Sequence, residues 1–142
     1  MIGAGDLQVG AVYRLGEYAL TGDDIVAFAR QWDPQYFHTD PEAATHSPYG
    51  GLIASGIQTL GIMQRLCVES VYAQWKTIAG RTLDQVQFAR PVRPGEVLSG
   101  LARIAQITLD RDRGRGDVTL DIEMTVADRT VLSARCIVVV AA

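Results

Sequence analysis

"ASGIQTLGIMQRLCVESVYAQW" (Ala54–Trp75) is the longest helical pattern in the chain, and the fold turns on how it is read. Ile57, Leu60, Gly61, Gln64, Cys67, Val68, Val71 and Tyr72 recur at three-four spacing. Ile62, Met63 and Leu66 occupy other faces, so the helix is apolar most of the way round and is expected to be substantially buried. Gly56 and Gly61 are costly inside a helix, by about 1 kcal/mol each against alanine. Close packing or close approach of a ligand would explain them.

What surrounds this helix is sheet. From Thr82 the chain reads "TLDQVQFARPV", a turn "RPGE", then the long strand candidate "VLSGLARIAQITL". After "DRDRGRGD", "VTLDIEMTV" sets Val118, Leu120, Ile122, Met124 and Val126 against Thr119, Asp121, Glu123 and Thr125. "ADRT" turns the chain again, and "VLSARCIVVVA" ends it as a last strand. Strands joined by short polar turns imply an antiparallel sheet with one wet face. One long buried helix with such a sheet is α+β, the sheet wrapping the helix. Upstream, "AVYRLGEYAL" (Ala11–Leu20) alternates as a strand, with Val12, Arg14 and Gly16 opposite Tyr13, Leu15 and Glu17. "TGDDIVAFARQW" reads as a short helix with Thr21 as N-cap, Asp24 at the capping-box position, and Ile25, Phe28 and Ala29 sharing a face. Pro34 ends it, because proline disfavours helical geometry in the residue before it. "DPEAATHS" reads as one or two further helical turns, with Asp40 as cap and Pro41 first. No repeat or linker divides residues 1–142, so one domain is expected.

Composition narrows the function. The 142 residues are 48% hydrophobic and 20% charged, ordinary for a soluble globular chain with one sizeable core. A net charge of −3 supplies no general basic field for nucleic acid. Arg111, Arg113 and Arg115 are interleaved with acids and glycines, as in a solvated turn. No stretch has the composition of a signal peptide or a bilayer span, so neither membrane insertion nor export is expected. Cys67 and Cys136 lie in apolar runs with no metal or disulfide spacing, which predicts buried free thiols and a cytoplasmic setting. CxxC, HExxH and glycine-rich phosphate loops are missing from the sequence, so no metal or cofactor is expected.

The chemistry concentrates in "WDPQYFHTDPEAA" (Trp32–Ala44). Asp33 and His38 lie five positions apart. On one helix they would differ by about 140° around the axis, and on one strand they would face opposite ways. They converge only if the segment bends, and Pro34 makes the bend available. A converged pair would orient one water or one substrate proton, work worth ~10²–10⁴ in rate. Two readings of the residues stand at this point: an acid–base pair, or a core histidine beside a turn-capping aspartate.

"FARQWDPQYFHTDPEAA" resembles the hydratase motif of MaoC-like dehydratases and (R)-specific enoyl-CoA hydratases, with Asp33 and His38 matching its acid–base pair. "YGGLIASGI" resembles that family's loop into the central helix, with Gly56 matching the glycine whose N–H polarises the thioester carbonyl. "FARPVRPGEVL" resembles its strand–turn–strand after the helix. The matches run in the same order over most of the chain. The resemblance implies the hotdog fold, a homodimer or larger even assembly, and a place in fatty acid metabolism. It implies (R)-specific hydration of a trans-2-enoyl thioester, or the reverse dehydration of a 3-hydroxyacyl thioester, carried by coenzyme A or acyl carrier protein.

The departures bear on the substrate. Gln35 and Tyr36 stand where Asn-Pro is usual, Ser55 stands where a histidine often precedes the glycine, and Gln64 replaces a smaller hydroxyl residue. Ser55 and Gln64 are therefore read as contacts to substrate, Tyr36 and Phe37 as tunnel walls, and Arg90 and Arg93 as contacts to coenzyme A phosphates. Two alternatives share the fold: a hotdog acyl-CoA thioesterase, and a non-catalytic acyl-thioester-binding subunit. A thioesterase acid usually lies on the central helix, where this chain offers only Glu69.

Overall fold

Five strands form one antiparallel sheet in the computed structural model, which describes residues 1–142. The strands are β1 (Val12–Ala19), β2 (Thr77–Phe88), β3 (Val97–Asp110), β4 (Arg115–Val126) and β5 (Arg129–Ala141), in the order β1-β3-β4-β5-β2. The helices are α1 (Gly22–Trp32), two single turns α2 (Tyr36–Thr39) and α3 (Pro41–Ala44), and α4 (Gly56–Ser70). The sheet wraps α4, giving the expected α+β hotdog arrangement.

The local signals in the sequence act as written. The Thr21 hydroxyl accepts the Asp24 N–H at 3.1 Å, and Asp40 caps α3 by accepting the Ala43 N–H at 3.1 Å. In β4, Val118, Leu120, Ile122 and Met124 are all buried in the core. Their partners on β3 and β5 (Ala102, Ile104, Leu132, Ala134, Cys136 and Val138) are buried with them. The β4–β5 turn is two residues long, Ala127 and Asp128, both at positive φ (48° and 64°). That is the pattern whose twist matches antiparallel strands.

Three expectations are corrected. Helix α4 stops at Ser70, and Tyr72–Gln74 tighten into a 3₁₀ turn rather than continuing it. Its core face is Gln58, Thr59, Ile62, Met63, Leu66 and Cys67, whereas Ile57, Gly61, Gln64 and Val68 are exposed. On a helix apolar most of the way round, periodicity does not select the buried face; the layout of the sheet does. In β1 the pairing register with β3 shifts between Leu15 and Tyr18, so Glu17 is exposed although the alternation puts it with buried Leu15. At that irregularity the Gly16 N–H donates to the Ser70 hydroxyl at 3.0 Å, tying β1 to the end of α4.

Helix α4 leans on the β1 side of the sheet. Between α4 and β2 the structure leaves an apolar-walled cavity of about 410 Å³, lined among others by Gln64, Val68, Tyr72, Gly80, Leu83 and Cys136. Strand β2 is the outer edge on this side, and it begins at Thr77, five residues before the expected strand start.

Candidate active site

Asp33 and His38 are brought together by a tight reversal of the chain. Pro34 stops α1, the Gln35 N–H bonds back to the Asp33 carbonyl at 2.8 Å, and one turn of helix, α2, carries His38 round. His38 Nε2 ends 3.3 Å from Asp33 Oδ2. The ring is 5% exposed and packs edge-on against Phe37.

Its other nitrogen fixes the tautomer. His38 Nδ1 lies 2.7 Å from the Ile53 carbonyl, which only accepts, so Nδ1 carries a proton and donates it. The Ile53 N–H in turn donates to the Phe37 carbonyl at 3.1 Å. This two-point latch holds the strand-like approach to α4 against α2. Nε2 is the free position, and it points at the carboxylate.

Asp33 is held from three sides. Ser55 Oγ donates to Oδ2 at 2.7 Å, Gln35 Nε2 donates to Oδ1 at 2.8 Å, and the imidazole stands beside Oδ2. Burial works to raise the carboxyl pKa. The bonds from Ser55 and Gln35 and the imidazole's charge outweigh it and hold the group below its ordinary value.

The N-terminus of α4 forms the second half of the site. The Ile57 N–H is taken by the Ser55 hydroxyl, and those of Gln58 and Thr59 by the Ser55 carbonyl. The Gly56 N–H has no such partner and lies at the positive end of a fifteen-residue helix. A Cβ at position 56 would stand 2.7 Å from the Phe88 ring, so any larger residue has to push that ring aside. Asp33, His38, Gly56, Phe37 and Phe88 line one open cavity of about 480 Å³. A proton-handling pair and an unpaired amide at a helix N-terminus facing one cavity is an arrangement for moving a proton while charge builds on a neighbouring oxygen.

The remaining expected residues divide. Phe37 and Arg90 line the cavity, and Arg90 also donates to the Thr130 carbonyl at 3.0 Å. Tyr36 packs edge-on against Phe37 and does not line the cavity. Ser55 is wholly buried, with its hydroxyl committed to Asp33 and Ile57 rather than facing the cleft. Gln64 stands eight residues, about 12 Å, down α4 and lines the cavity against β2 instead. Arg93 lies outside the lining; its N–H bonds to Glu96 in the β2–β3 turn. Sequence reasoning missed the Ile53 carbonyl, Tyr49, Thr59 and Phe88. Gly56 was the one available signal for Phe88, since a glycine opening an apolar helix asks what lies against it.

A cleft of this kind in this fold defines a class. The model of the MaoC-like domain matches residues 6–126, and the chain belongs to that family. Among particular proteins, YdeM of Bacillus subtilis is 34% identical over 113 residues, 80% of this chain and 77% of that one. The 3-hydroxyacyl-thioester dehydratase Z of Mycobacterium tuberculosis is 29% identical over 126 residues, 85% of this chain and 82% of its own. The crystal structure of the MaoC-like dehydratase from Rhodospirillum rubrum superposes with a TM-score of 0.91 at 34% identity, covering 99% of this chain and 97% of that one.

Proposed function

We propose that the protein is an acyl-thioester hydro-lyase, adding water (R)-specifically to a trans-2-enoyl-CoA or removing it from the 3-hydroxyacyl-CoA. The observation that carries this reading is the Asp33–His38 contact in one cleft with the unpaired Gly56 N–H. The dehydratase named among the relatives gives it independent support.

The hydrogen bonds support one division of roles. Nε2 and Oδ2 are both acceptors unless a proton lies between them, so the contact is a place for a proton or a water. In hydration, the water O–H bond breaks, its proton passes to His38 Nε2, and the oxygen bonds to Cβ. The alkene electron pair moves onto the thioester oxygen, where the Gly56 N–H and the helix dipole stabilise the enolate. The enolate then takes the proton from Nε2 at Cα. Asp33, ionised and held by Ser55 and Gln35, orients the water and stabilises the imidazolium. Arg90 lines the cleft wall, which supports its reading as a contact to the phosphates of coenzyme A.

The working unit is a homodimer. Edge strand β2 exposes Ile78, Leu83 and Phe88, and α4 exposes Ile57 and Val68. An unpaired edge with apolar side chains favours pairing with a second copy.

Mass spectrometry of products tests the reading. With crotonyl-CoA and longer trans-2-enoyl-CoA substrates, product gains the mass of one water. Release of free coenzyme A from a saturated acyl-CoA indicates a thioesterase instead, and no product from either indicates a binding subunit.

A further inference from the structure

The Ser55 hydroxyl has two hydrogen-bonding neighbours, one on each side. The Ile57 N–H can only donate, so it bonds into a lone pair of Oγ at 3.2 Å. The hydroxyl proton is then left for Asp33 Oδ2, 2.7 Å away. The same Oδ2 faces His38 Nε2 at 3.3 Å. Ser55 is also the residue whose carbonyl gathers the Gln58 and Thr59 amides, so it alone caps α4 and sets where the Gly56 N–H points. It is completely buried, out of reach of substrate. One side chain therefore fixes the carboxylate and the helix end relative to each other.

We propose that Ser55 is a positioning residue that clamps the Asp33 carboxylate to the N-terminus of α4, setting the acid–base pair and the Gly56 N–H in one geometry. This rests on the hydro-lyase reading for its catalytic consequence, though not for the clamp itself. A hydrogen bond donated to a carboxylate favours its charged form. Losing the Ser55 hydroxyl therefore makes Asp33 easier to protonate. Other groups near the carboxylate do not replace it. His38 approaches from α2, Gln35 supplies a neutral amide, and Arg30, in the last turn of α1, is exposed. Elsewhere on the cleft wall, Arg90 is bonded to the Thr130 carbonyl and Tyr49 packs edge-on against Phe37.

The experiment compares wild type with Ser55→Ala, Ser55→Gly and Ser55→Thr. Glycine serves at N-caps nearly as well as serine, so Ser55→Gly removes the hydroxyl while keeping the helix start. The Asp33 carboxyl carbon is followed by NMR through an acid titration, which needs no turnover. In Ser55→Ala and Ser55→Gly its midpoint is expected to rise by about half a pH unit or more, with Ser55→Thr near wild type. The second readout is turnover of an active enoyl thioester. There kcat falls by tens of fold, the scale of a misplaced reacting group, while KM stays within about twofold. An unmoved Asp33 midpoint in folded Ser55→Gly overturns the clamp and leaves Ser55 a helix cap only. A midpoint that moves in a protein that hydrates no enoyl thioester upholds the clamp and sinks the hydro-lyase reading.

Discussion

The Phe88 ring lies against Gly56, joining edge strand β2 to the first residue of α4; a Cβ at Gly56 would sit 2.7 Å from the nearest ring carbon. The contact crosses the cleft wall, so the geometry of the Gly56 N–H depends on a residue 32 positions away.

Gly56→Ala tests that contact. Helix propensity alone favours alanine by up to about 1 kcal/mol. The ring is half exposed and can swing aside, so the fold should survive. Its displacement into the cleft is expected to cut hydration tenfold or more, on the scale of a small misplacement at a reacting centre. Adding Phe88→Ala should recover part of the loss. Unchanged hydration in Gly56→Ala would show that the wall does not set the site.

Asp33→Asn and His38→Ala should each lower hydration by ~10²-fold or more, the scale of one positioned acid or base. The double variant should cost little more than the worse single one, because the two act on one water as a unit. The effect should fall on kcat more than on KM. The two differ in stability. His38→Ala leaves the Ile53 carbonyl without its partner inside the fold, a loss of about 1–3 kcal/mol, whereas asparagine still accepts from Ser55. Urea melts separate these costs from the kinetic ones.

The pH dependence follows from carboxyls held below their ordinary pKa. Asp33 is held below 3.8, the ordinary value for an aspartate, so its carboxyl midpoint followed by NMR should lie below that value. Asp121 is lowered too, chiefly by the hydrogen bonds from Arg135 on the outer face of the sheet, at 2.7 and 3.0 Å. A lowered carboxyl binds its proton more weakly folded than unfolded. Its stabilisation is present above pH 3.8 and is lost as pH falls through the folded value. Urea midpoints from pH 6 down to 2.5 should be level at first and drop below about 4. An Asp33 midpoint at or above 3.8 would contradict the first part.

The two thiols are free and buried, and burial pushes Cys67 up to about 12 and Cys136 up to about 11. An aromatic disulfide reagent at pH 8 should find no thiol in the native protein and both after denaturation. Above pH 9.0 the unfolded chain ionises its thiols before the folded one does, so stability should decline from there upward. A reactive native thiol would place Cys67 or Cys136 outside the core.

The edge of β2 predicts the assembly. Sedimentation at micromolar concentration should give a dimer, and Leu83→Lys, which sets a charge on the exposed apolar edge, should shift it to monomer. A wild-type monomer would leave Ile57, Val68, Ile78 and Leu83 without the partner proposed for them.

By itself the sequence determined whatever depends on near neighbours. Thr21 and Asp40 cap their helices because the acceptor and the amide are three residues apart. The alternation in β4 defines its core face because a strand has a fixed two-residue period. Local geometry made an Asp33–His38 contact possible, since one proline and one helical turn fold five residues back, and the resemblance to the hydratase motif named the pair. Only the tertiary structure decided which face of α4 is buried, since a helix apolar on most sides carries no signal of where the sheet will lie. It alone moved Ser55 from the substrate to the carboxylate 22 positions away, sent Gln64 to a different cavity, and set Phe88 against Gly56. These contacts join segments far apart in the chain. No local period encodes them; they are fixed when the strands pair and the core closes.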